Sequence, residues 1–216
     1  MIRPMSLILA ALAASPAAAH PHVFTTAAVE IRLDDDGQLL GVGIVWTYDD
    51  FFSLLVTEDL GLDPDGDLIL SAAEAQVLDA YITTWPADYE GDLYLYAGDT
   101  TLALQPVTEH SAGFTNGMVT EHFFRPLAIP QDTIIAPVDI QIYDPTYYIA
   151  YEVDPPIIII GRDNCTATLI KADLHSAGIL VDDLLYGRPA SDVGPDEVFP
   201  EVGRAFADTV RVACAG

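Results

Sequence analysis

The sequence predicts a mainly β (α+β) fold: β-sandwich-like sheets with an inserted helical hairpin around an acidic EF-hand-like loop. Three observations carry the expectation. Short runs rich in Val, Ile, Leu, Tyr and Thr recur along the chain, separated by turn residues. Two segments between about residues 49 and 84 switch to helical spacing. The chain is 51% hydrophobic yet carries a net charge of -25, so an acidic surface over an apolar interior is expected rather than a disordered chain.

The chain opens like an exported precursor. Arg3 supplies a short positive region, Met5 to Ala14 an apolar run, Pro16 a break and Ala17-Ala18-Ala19 the small residues before a cleavage site. Residues 1–19 therefore read as a signal peptide and 20–216 as a β-rich periplasmic domain beginning at His20. The apolar run is too short for a comfortable membrane span. With 8 Lys+Arg against 33 Asp+Glu, the surface repels nucleic acid and anionic lipid and attracts cations or basic partners.

Val23 to Leu33 alternates and ends at the turn Asp34-Asp35-Asp36-Gly37, which pairs it with Leu39 to Tyr48. Asp49 to Leu60 places Phe52, Leu55 and Val56 on one helical face. Ser71 to Thr83 opens with the capping box Ser71-x-x-Glu74 and repeats Ala75, Leu78 and Ile82. Strands are expected at Asp92 to Ala97, Thr101 to Val107, Gly117 to Phe124, Ile134 to Tyr143, Tyr147 to Val153, Ile157 to Ile160, Cys165 to Lys171 and Thr209 to Cys214. Residues 172–200, rich in Pro, Gly and Asp, read as a long surface connection. Cys165 and Cys214 are an even pair without C-x-x-C spacing and read as a disulfide, contributing roughly 4 kcal/mol at best by loop closure.

Asp63-Pro64-Asp65-Gly66-Asp67-Leu68-Ile69-Leu70-Ser71-Ala72-Ala73-Glu74 fits a calcium loop. Oxygen donors Asp63, Asp65, Asp67, Ser71 and Glu74 fall at loop positions 1, 3, 5, 9 and 12. Leu68 stands where glycine normally turns the backbone through positive φ, which strains the loop or opens it. The other reading is an acidic turn with Ser71 capping a helix.

Cleavage before His20 would create His20-Pro21-His22 with a free α-amine. Amine and imidazole donors suit zinc, copper or nickel, and Pro21 lacks the N–H needed for square-planar wrapping through backbone amides. Asp49 and Asp144 are weaker ligand candidates; a helix cap and a structural corner are their simpler roles. His110 and His122 form a candidate second cation site across a hairpin, with solvated polar positions the plainer reading. No G-x-S-x-G, H-E-x-x-H or phosphate-loop pattern occurs, so the chain does not read as an enzyme.

His20-Pro21-His22-Val23-Phe24 after an Ala-rich leader, Trp46-Thr47-Tyr48-Asp49-Asp50-Phe51-Phe52-Ser53, the acidic loop, Tyr143-Asp144-Pro145-Thr146-Tyr147-Tyr148 and the late cysteines together resemble a bacterial family of periplasmic proteins catalogued as a domain of unknown function. The family is often labelled an uncharacterised ABC-type transport periplasmic component, and its genes frequently lie beside nickel/cobalt exporters of the NicO type. Phe24 stands where the family often has Trp. The resemblance implies a role in metal transport or homeostasis. The leading expectation is thus a periplasmic metal-binding accessory protein. It would hold zinc first, then copper or nickel, through His20 and His22, with calcium at the acidic loop and a membrane metal transporter as partner. A non-catalytic interaction module with a structural calcium loop is the second reading, and a copper oxidoreductase the third.

Overall fold

A computed structural model describes residues 21–131, 137–193 and 197–215. The expected signal peptide and His20 lie outside the described residues. The first hairpin is β1 (Val23–Leu33) and β2 (Leu39–Tyr48), at the bounds the sequence predicts. In β1 every second residue is buried, because the pleat sends alternate side chains to opposite faces and Val23, Thr25, Ala27, Val29, Ile31 and Leu33 all fall on one of them. Next come α1 (Asp50–Leu60) and α2 (Ala72–Ile82). Asp49 caps α1, Gly61 ends it in the left-handed region at φ 63°, and the Ser71–Glu74 capping box opens α2.

The remaining strands are β3 (Leu93–Ala97), β4 (Thr100–Leu102), β5 (Thr108–Thr115), β6 (Met118–Gln131), β7 (Val138–Ile142), β8 (Ile149–Ile160), β9 (Cys165–Ile170) and β10 (Thr209–Cys214). They assemble into two five-stranded sheets, ordered β5-β6-β2-β1-β8 and β4-β3-β7-β10-β9. Neighbours run antiparallel except β1 and β8, which are parallel. One core serves both sheets: Val29, Ile44, Phe123 and Val153 of the first meet Leu95, Ile140 and Val210 of the second in a single buried cluster. Each such side chain contributes roughly 1.5–3 kcal/mol by leaving water.

Besides β6, which runs past its expected end at Phe124 to Gln131, the structure departs from the expected elements in three places. The strand expected over Thr101 to Val107 shrinks to β4 plus a bridge from Leu104 to Leu127, since Pro106 cannot donate to a ladder. The two strands expected at Tyr147 to Val153 and Ile157 to Ile160 are one, β8; its register against β1 shifts between Ala27 and Val29, beside the cis Pro155–Pro156 bond, and pairing then resumes. The surface connection expected over 172–200 contains a helix, α3 (Leu174–Leu184). Asp173 caps it by accepting from the His175 and Ser176 N–H groups at 3.2 Å each. Gly178 and the surrounding acidic residues masked its helical spacing. Leu185, Phe199 and Val202 form a small second cluster beneath this region, joined by Tyr147 and Phe206.

Cys165 and Cys214 are bonded, joining residues that sit directly opposite one another in β9 and β10 across a sequence separation of 49. The bond closes a large loop in the unfolded chain. Replacing both cysteines with serine should lower stability by about 2–4 kcal/mol, read as a fall in the melting temperature. Reductant should lower the wild-type melting temperature similarly and leave the double variant unmoved.

Candidate functional site

The acidic loop joins α1 to α2. Asp63, Asp65 and Asp67 bring one carboxylate oxygen each to within 4.8 Å of one another, the only such three-ligand group among the described residues. The loop does not open at Leu68. That residue takes φ 62°, the left-handed turn usually given to glycine, while Gly66 takes φ 70°. The Asp63 carboxylate holds the turn by accepting from the N–H groups of Asp67 and Leu68, both at 3.0 Å, and Asp67 accepts from Ile69 at 2.9 Å. A left-handed leucine costs about 1–2 kcal/mol. These three oxygens can hold a hard cation.

The two later donors sit differently. Ser71 caps α2, and Glu74 accepts from the N–H groups of Ser71 at 2.8 Å and Asp63 at 3.1 Å, closing the loop upon itself. The Ser71 side chain first, and then these backbone bonds, hold the Glu74 carboxyl below the usual range. Glu74 must exchange them to join an ion held by the three aspartates.

At the start of β1, the His22 N–H donates to the Tyr148 carbonyl at 2.8 Å and its ring lies 4.6 Å from that of Tyr148. Asp49 and Asp144 flank this strand on its two sides. Asp49 accepts from Phe24 N–H at 2.6 Å and from Phe52 N–H at 2.8 Å, tying β1 to the cap of α1. Asp144 accepts from the Thr146 N–H and hydroxyl and from the Tyr148 and Ile149 N–H groups, at 2.8 to 3.2 Å. Four donors occupy its lone pairs, so metal ligation there would break the corner between β7 and β8. Gly203 packs against that corner: its N–H donates to the Pro145 carbonyl at 2.9 Å, and a Cβ there would collide with the Asp144 carbonyl oxygen.

His110 and His122 are not brought together. His122 adjoins Glu121 in β6, so their side chains leave opposite faces. His110 reaches Glu121 instead, with Nε2 2.6 Å from Oε1. Glu121 is the residue that sequence reasoning missed as a centre. Only 2% exposed, it also accepts from Trp85 Nε1 at 2.8 Å and from the Tyr48 hydroxyl at 2.6 Å. Nearby, Gly91 and Asp92 both take left-handed backbone, at φ 72° and 47°, which turns the Asp92 carboxylate inward. There it accepts from the hydroxyls of Tyr151 at 2.8 Å and Tyr89 at 3.1 Å. A glutamate inside a predicted strand and an aspartate at a strand start carry no local pattern; only the many aromatic residues around them hint at burial.

Burial lifts the Asp92 carboxyl from 3.8 to about 6, aided by the charge of Asp144 and opposed by the bonds from Tyr151 and Tyr89. Since the folded value lies above the unfolded one, the native state binds this proton more tightly, and stability falls as pH rises from about 4 through 6. Ionisation then costs on the order of 3 kcal/mol at neutral pH. Asp92→Asn should therefore raise the melting temperature clearly at pH 7.5 and hardly at pH 4, in melts of the two proteins across this range.

Among the described residues no helix is long and apolar enough to cross a membrane, and the disulfide fits an oxidising compartment. A search of curated proteins returns no match to the chain. A family model does match, over residues 5–214, that of the protein of unknown function DUF1007. The chain belongs to this family.

Proposed function

We propose that this chain is a metal-binding accessory protein of the periplasm, serving transition-metal transport or homeostasis. The observation that supports it best is the convergence of Asp63, Asp65 and Asp67 within 4.8 Å of one another on a loop held in an ion-ready turn. A hard divalent ion such as calcium suits three carboxylates with room for further oxygens. Its role there is to clamp the helical hairpin. The transition metal, zinc first and then copper or nickel, is held at the processed N-terminus by the amine and imidazole of His20 with the imidazole of His22. His22 lies exposed where β1 begins, against Tyr148, so a ligand set built there stays in reach of a membrane transporter.

Two measurements test the two ions separately. Calcium at a hundredfold excess over its dissociation constant should stabilise the protein by about 2.7 kcal/mol, seen as a rise in melting temperature. Asp65→Asn should abolish the rise without lowering the apo melting temperature, since Asp65 makes no hydrogen bond within the described chain. An unchanged melting temperature with calcium removes the loop from the reading.

For the N-terminus, zinc affinity is measured by calorimetry on protein exported with its own leader and on protein retaining one extra residue before His20. The blocked form should bind zinc about tenfold more weakly or worse, having lost the α-amine as a donor. Equal binding, or none in either form, would favour an interaction module whose helical hairpin is merely braced by calcium.

A further inference from the structure

A cleft of about 810 Å³ opens where the ends of β2, β6 and β8 meet the start of β3 beneath residues 83–92. Its walls are the rings of Trp46, Trp85, Tyr48, Tyr89, Tyr94 and Tyr151. Its two innermost carboxylates are Glu121 and Asp92, 2% and 8% exposed. Its rim adds Asp88, Glu90 and Asp144, and no lysine or arginine lines it among the described residues. Buried carboxylates without a cation are costly, and burial already pushes the Asp92 carboxyl upward. One carboxylate oxygen here is open to a donor. Both tyrosine hydroxyls on Asp92 bond its Oδ2, so Oδ1 receives no hydrogen bond from the described chain.

We infer that this cleft binds a small organic ammonium ion, with the ammonium N–H donating to Asp92 Oδ1 and the alkyl part lying among the aromatic rings. Ring faces attract a cation through their quadrupole and cover its apolar portion, which an inorganic ion does not have. The carboxylates do not suit a metal: among the described residues Asp92 and Glu121 join no three-ligand group within 4.8 Å, and Glu121 Oε1 is already taken by Trp85 and His110. A free carboxylate oxygen favours a protonated amine over a quaternary ammonium, which has no N–H to give. The volume lies within the ordinary range for small-molecule sites. The cleft and the acidic loop share no residue, so the inference stands apart from the metal reading.

The chain holds 2 tryptophans, and both line the cleft. Intrinsic tryptophan emission is therefore a local readout. Mature protein is titrated with n-butylammonium chloride, with sodium butyrate and magnesium chloride as controls at matched ionic strength. The expected result is a saturable change in emission with the ammonium salt alone, and an apparent affinity about tenfold weaker in Asp92→Asn. Should that variant fail to fold, Tyr94→Leu, which removes a half-buried ring, takes its place with the same expectation. No saturable change with n-butylammonium overturns the inference, as does an equal response to butyrate, an equal response to magnesium, or wild-type affinity in the folded variant.

Discussion

The buried carboxylate of Glu121 is the constraint around which the rest is arranged. A charge 2% exposed survives in an apolar interior only if donors replace the water it has lost. Here they come from the end of β2 (Tyr48), the connection after α2 (Trp85) and β5 (His110). Each bond fixes one element that the sheets alone would leave adjustable. Trp85 is the clearest case: held by its Nε1, it stands 4.9 Å from Phe123 and 6.2 Å from Trp46, ring centre to ring centre. The connection it belongs to then becomes a wall of the cleft. Any of these donors left without Glu121 would cost about 1–3 kcal/mol, so hub and cleft depend on one another.

A second set of carboxylates does the same work at the other strand ends. Asp208, 6% exposed, accepts from Val153 N–H, Ala172 N–H and Lys171 Nζ at 3.0 to 3.1 Å, joining β8 to the chain on either side of α3. Asp144 gathers the corner before β8, and Asp49 clamps β1 to α1. A chain with so few lysines and arginines satisfies few buried carboxylates by ion pairing, Lys171 on Asp208 being the case among these acids. It uses backbone N–H groups, phenols, an indole and an imidazole instead, and the density of tyrosine near these acids follows from that need.

What was legible in the sequence was whatever is encoded locally. β1 and β2 emerge at their predicted bounds because alternation and turn chemistry act over neighbouring residues. The capping box at Ser71 and the cap at Asp49 set the helical hairpin in the same way. The disulfide followed from cysteine number and spacing. Parallel pairing of β1 with β8, the merging of two segments into β8 and the hub at Glu121 were not legible, since each depends on residues far apart in the chain meeting in space. Leu68 shows a different limit. Its residue type argued against the turn, yet the Leu68 and Ile69 N–H groups donate to the Asp63 and Asp67 carboxylates, and these two bonds outweigh the cost of one left-handed leucine.

The net charge of -25 draws every cation toward the molecule, but a long-range field does not choose among them. Selection rests on what surrounds the acids at close range. In the loop, carboxylates converge in the open, where a hard ion keeps part of its hydration and gains oxygens. In the cleft, the two buried carboxylates are kept apart by rings and already hold their own donors, so a ligand must bring an apolar body as well as a charge. At the strand start Asp49 and Asp144 accept from backbone N–H groups, and the donors proposed there for an ion are nitrogens. The three proposed sites on one acidic chain therefore differ in the ligand chemistry they would take, and the difference lies in which hydrogen bonds the fold has already claimed.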